Sequence, residues 1–197
     1  MQMAEQAARV LLDAGVDRLP VHLRPIAERC NAVLFTYRQY AEAAGTTLGE
    51  VAARFGEDGF TQQVQGQYLI FYREGGSLQR ARFTIAHELA HILLGHLQPG
   101  RAPAQDCDRM ADCLAAELLC PSAVLAACDW RDEKELARLC DISPAAAQCR
   151  VHVLARQPVP KKTQTQQKLL NRFEGYLIER QERLPDEPLP RLRSHRI

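Results

Sequence analysis

The chain has 197 residues, 46% of them hydrophobic, with 25 basic and 24 acidic side chains and a formal net charge of +1. That length supports one good core, or one core with a small appendage. The balanced charge gives no basis for sequence-independent binding to nucleic acid or to an anionic membrane. The longest apolar stretch, residues 85–94, is interrupted by His87, Glu88 and His91, so it cannot span a bilayer.

Residues 1–12 place Glu5 and Arg9 among apolar side chains. They read as an amphipathic helix rather than a secretory signal, which implies a cytoplasmic protein. Pro20 and Pro25 bracket a turn into a short helix over residues 23–30, and residues 32–37 read as a strand. Helical stretches at 37–44 and 46–55 are split by Gly45. Residues 60–64 and 68–72 are rich in aromatic and β-branched side chains, and Gln65-Gly66-Gln67 lies between them, so a β-hairpin is indicated.

From Ser77 the period changes. Phe83, Ala86, Leu89, Ala90, Leu93 and Leu94 recur at helical spacing, with Gly95 as the stop. A loop with Pro99, Gly100 and Pro103 leads to a second amphipathic helix over 106–119, closed by Pro121. Further helical blocks cover 132–139 and 145–154. Pro158 and Pro160 then break the chain before a polar helix over 163–184. Residues 185–197, rich in proline and arginine, have the composition of a disordered tail. The seven cysteines (30, 107, 113, 120, 128, 140 and 149) are odd in number and lack Cys-x-x-Cys spacing. They read as reduced thiols, mostly buried, with Cys107 and Cys113 near the region of interest below.

That region is His87-Glu88-Leu89-Ala90-His91. Residues four apart on a helix lie on one face, so both imidazoles can meet one ion at about 2.0–2.1 Å. Glu88 is turned about 100° around the axis and can reach a water at that ion as a general base. The flanking residues are apolar almost all round, which implies a helix buried on most of its circumference. Two histidines and a glutamate buried there without partners would be costly, and a metal gives them a use. His96 is one residue short of the extended H-E-x-x-H-x-x-G-x-x-H pattern and reads as a cap at the helix end. Asp108 and Asp112, four apart on the second helix, are the alternative source: one can bind metal while the other holds a ligating histidine from behind. Asp106 competes with Asp108 for the ligand position.

Residues 82–96, Arg-Phe-Thr-Ile-Ala-His-Glu-Leu-Ala-His-Ile-Leu-Leu-Gly-His, resemble the core motif of the ImmA/IrrE metallopeptidases. Residues 111–121 resemble that family's second motif. Gly59-Phe60-Thr61 and residues 68–72 resemble the hairpin leading into its zinc helix. The resemblance covers about residues 20–155, with 1–19 as an N-terminal helix and 156–197 as a C-terminal helix and basic tail. It implies an α+β fold: a mostly helical, zincin-like peptidase domain of the gluzincin type, with a small antiparallel sheet and the H-E-x-x-H helix packed on a second ligand-bearing helix. It also implies a Zn2+ cofactor, His87, His91 and Asp108 as ligands, Glu88 as general base and Asp112 behind a ligand. Family members cut helix-turn-helix repressors of mobile elements or stress responses, which makes such a repressor the implied partner. Asp108 departs from the family's usual glutamate and is shorter by about 1.5 Å; the site closes if the second helix sits nearer, and otherwise uses a bridging water or binds zinc weakly.

Two other features bear on function. The hairpin offers a strand edge to an extended peptide, unless the N-terminal helix covers it. Residues 135–151 have some helix-turn-helix character, with Ser143-Pro144 starting the second helix, although packing under the peptidase core is the simpler account. The competing function class is a non-hydrolytic regulator that uses the same fold to bind a repressor or DNA, and Asp108 in place of glutamate is the feature that favours it. Retention of Glu88 favours the enzyme, because binding alone needs no base. No residue stands out as an oxyanion stabiliser; His152 and several tyrosines are candidates.

Overall fold

The computed structural model describes residues 2–98, 106–156 and 162–182. In chain order the elements are α1 (Gln2–Asp13), α2 (Arg24–Arg29), β1 (Ala32–Thr36), α3 (Tyr37–Ala44), α4 (Leu48–Phe55), β2 (Gly59–Val64) and β3 (Gln67–Tyr72). They continue with α5 (Leu78–Leu93), α6 (Cys107–Leu119), α7 (Ser122–Leu125), α8 (Glu133–Cys140), α9 (Pro144–Arg156) and α10 (Gln164–Glu182). The fold is α+β and mostly helical, as the sequence implied. The proline-rich loop at 99–103, the break at Pro158 and Pro160 and the tail at 185–197 fall outside the described residues.

The hairpin forms because its turn supplies the backbone that the strand twist needs. Gln65 and Gly66 have φ of 51° and 81°, the positive pair of a two-residue loop between right-twisted strands. β2 pairs antiparallel with β3, from Gly59 opposite Tyr72 to Val64 opposite Gln67. β1 lies on the other side of β3 and runs parallel to it, from Ala32 beside Tyr68 to Thr36 beside Tyr72. The antiparallel sheet expected from the hairpin is thus a mixed sheet of order β1-β3-β2. The parallel pairing is possible because α3, α4 and β2 separate β1 from β3 and supply the crossover.

Local signals place the helices around this sheet. Thr36 with Gln39 and Thr47 with Glu50 form capping boxes that start α3 and α4. Thr46 and Thr47 hydrogen bonds hold the Glu50 carboxyl at about 2. A small aromatic core (Tyr37, Phe71, Phe55 and Phe60 among its members) ties α3 and α4 to the sheet, with the Phe55 and Phe60 rings stacked 4.0 Å apart. The main core is separate. It joins Ala7, Ala8 and Leu11 of α1, Leu89 of α5, Leu114 and Leu118 of α6, Leu136 of α8 and Phe173 of α10. α1 packs chiefly on α6 and α10. β2 is an edge strand, with no strand on its outer side among the described residues.

α5 begins at Ser77, whose side chain accepts from the Arg80 N–H. Its buried side is Thr84, Ile85, Ala86, Leu89 and Ala90. The helix is less enclosed than its composition suggested, since Leu78 is 67% and Phe83 36% exposed. Residues 133–156 do form helix, three-residue turn and helix, with Asp141 left-handed at the turn and the Ser143 hydroxyl capping α9. Leu136, Cys140, Ile142 and Ala147 of this unit are buried in the main core. No described helix is long and apolar enough to cross a membrane.

Candidate metal centre

α5 and α6 pack along one another and bring together the side chains that their spacing singled out. Four residues of helix rise put His91 one turn beyond His87, and the two Nε2 atoms lie 2.9 Å apart. Asp108 Oδ1 is 3.4 Å from His91 Nε2. Ligand atoms of His87, His91 and Asp108 all lie within 4.8 Å of one another, and they form the His/Cys/Asp/Glu cluster of that kind among the described residues. Asp106 is not part of it; its carboxylate pairs with Arg109 at 3.2 Å. Cys107 is buried and Cys113 exposed, both as free thiols outside the cluster. His152 sits on α9 with Nδ1 3.1 Å from the Gln148 carbonyl, also outside it.

Asp108 comes within 3.4 Å of His91 where α5 packs on α6 through small residues. Ala86 and Ala90 on α5 and Ala111 and Ala115 on α6 are completely buried, and interaxial distance follows side-chain size at the contact. Two ligands of a tetrahedral site with bonds of about 2.05 Å stand ~3.3 Å apart. The His91–Asp108 spacing already meets this, and the histidine pair would need to open by roughly 0.4 Å to match it.

The backs of the two rings are held differently. His87 Nδ1 faces Asp112 Oδ1 at 2.8 Å, so this nitrogen donates and leaves the Nε2 lone pair free to point inward. His91 Nδ1 faces His96 Nδ1 at 3.1 Å, and the two rings meet nearly edge-on. His96, read from sequence as a helix-end cap, thus stands behind the second histidine. The turn at Gly95, with φ of 68°, carries the chain back to put it there. Burial and the neighbouring imidazoles of His87 and His96 push His91 down to about 4, so its ring is neutral at physiological pH.

The Glu88 carboxylate reaches β2 of the sheet while staying close enough to His87 and Asp108 to feel their charge. Its Oε2 accepts from Thr61 Oγ1 of β2 at 2.6 Å. Burial raises its pKa, while the Thr61 bond and His87 work the other way. Thr61 is a site residue that motif reading missed. Its signal, a hydroxyl on a strand two residues after Gly59, has meaning only once the strand is laid against α5.

With this geometry in place, comparison adds the lineage. The family described as Peptidase_M78, IrrE N-terminal-like domain, matches residues 52–152. The chain belongs to this family. The match runs from α4 through the hairpin, both site helices and most of α9, and it agrees with the resemblance read from residues 82–96 and 111–121. No curated protein matches the chain. As a Peptidase_M78 member the protein is placed among metallopeptidases, and a His-His-Asp group that could hold a metal ion lies within the matched residues.

Proposed function

We propose that this protein is a zinc-dependent endopeptidase that cleaves a protein substrate, a helix-turn-helix repressor by class. The observation that carries the reading is the convergence of His87, His91 and Asp108 with the half-buried Glu88 carboxylate beside them. Two imidazoles and one carboxylate suit zinc and leave a fourth position open. When bound, zinc supplies Lewis acidity, polarising the scissile carbonyl and making a water nucleophilic near neutral pH.

The chain's own residues do the rest. Asp112 orients His87 by accepting its Nδ1–H, and His91 donates to His96 in the tautomer that leaves Nε2 inward. Glu88 takes the proton of the attacking water and returns it to the leaving amine; its raised pKa keeps that return within reach. The outer edge of β2 offers backbone donors and acceptors to an extended peptide. The repressor class rests on the family resemblance, and the retained Glu88 favours hydrolysis over mere binding.

The test is to purify the full chain, measure bound zinc by elemental analysis, and incubate it with the helix-turn-helix repressors of the same genome. Glu88→Gln should keep zinc and cleave about 10²–10⁴-fold more slowly. A wild type that holds no zinc, or that leaves every repressor as intact as Glu88→Gln does, overturns the proposal.

A further inference from the structure

Two contacts join β2 to α5, and together they fix a register. Gly59 lies so close to α5 that a β-carbon there would come 2.4 Å from Thr84 Cγ2, with the Phe71 carbonyl oxygen of β3 2.9 Å away on the strand side. Two residues on, the Thr61 hydroxyl donates to Glu88. Residues 59 and 61 share one face of the strand, and 84 and 88 share one face of the helix. The strand advances about 6.7 Å over two residues and the helix about 6 Å over four. Strand and helix therefore run in step: glycine permits the close approach, and threonine then meets the carboxylate.

Resting on the peptidase reading above, we propose that Thr61 is a positioning residue for the Glu88 carboxylate. A neutral hydroxyl is suited to the task. It donates one hydrogen bond to Oε2 and leaves Oε1 available to the water, whereas a lysine or arginine would pair with the base and consume its charge. Threonine is also stiff at χ1, so the strand backbone dictates where the hydroxyl sits. The edge strand that would bind a peptide thereby also sets the position of the base. A substrate seated on β2 and the proton acceptor share one rigid frame.

The test compares wild type, Thr61→Val and Thr61→Ser, each as the zinc-loaded full chain, on the repressors used above. Thr61→Val keeps the shape and loses the donor. It should retain zinc and the wild-type KM while kcat falls about 10–100-fold. Thr61→Ser should recover most of the loss, because the hydroxyl returns. A Thr61→Val protein with unchanged kcat overturns the inference while the peptidase reading stands. So does a loss of kcat that comes with lost zinc and that serine fails to rescue, since that marks a merely structural residue. A zinc-loaded wild type that cleaves nothing overturns the peptidase reading, and this inference with it.

Discussion

The two ends of α6 use carboxylates in opposite ways. Near its start, Asp108 and Asp112 have side chains 87% and 55% exposed, facing the two histidines of α5. Near its end, Glu117 is buried at 7% exposure and locked to Arg150 at 2.7 Å. Glu117 also accepts from the Ser122 N–H and hydroxyl, which starts α7, while Arg150 donates to the Cys120 carbonyl. An exposed aspartate is solvated and costs the fold little when nothing binds it. A buried glutamate is tolerable only with its partners in place. One end of the helix is thus free to change with the chemistry, and the other clamps α6, α7 and α9 together.

The buried end gives the largest expected effect. Arg150→Ala leaves the Glu117 charge without its cation and should destabilise the chain by about 3–5 kcal/mol, read from urea unfolding. The paired change Glu117→Met with Arg150→Met should recover most of that, because removing both charges is often neutral or stabilising. Equal losses in the single and paired variants would show that the hydrogen bonds to Ser122 and Cys120, rather than the charge pair, hold this end.

The exposed end should behave in reverse. Asp108→Ala should change the unfolding free energy of the metal-free chain by no more than about 0.5 kcal/mol. Under the zinc reading it should also abolish the rise in Tm that added zinc gives the wild type, since an ion that binds the folded state stabilises it. Asp108→Glu keeps the carboxylate on a side chain longer by one methylene and should keep zinc. Full zinc occupancy in Asp108→Ala, measured by elemental analysis after dialysis, would remove Asp108 from the ligand set.

The contrast between the two ends also explains what the sequence could say. His87, Glu88 and His91 were readable because their relation is local: helix periodicity alone places them. Asp108 and Asp112 were readable as a pair for the same reason, and the choice between Asp108 and Asp106 required α6 to be docked on α5. The hairpin was readable from its turn and its aromatic strands. The parallel pairing of β1 with β3 was not, because it joins segments some 35 residues apart and leaves no periodic trace. Nothing local in the sequence pairs Arg150 with Glu117, 33 residues away, and only the folded chain puts them together. Thr61 and His96 were missed likewise, one because its partner lies across the sheet–helix packing, the other because a left-handed Gly95 turns it back.

The smallest effect is expected at Asp112, and it separates charge from geometry at the exposed end. Asp112 touches His87 through a single hydrogen bond at 2.8 Å, and its side chain is more than half exposed, so solvent screens its charge. Asp112→Ala removes the acceptor and should weaken zinc binding about 10–100-fold, the usual cost of losing an outer partner of a ligating histidine. Asp112→Asn keeps a carbonyl oxygen where Oδ1 now sits and loses only the charge. If orientation of His87 is what Asp112 provides, Asn should fall short of wild type by less than about tenfold in a chelator competition assay. Asn as weak as Ala would mean that the negative charge itself, through the basicity of His87, sets the affinity. The exposed end would then be as dependent on charge as the buried one.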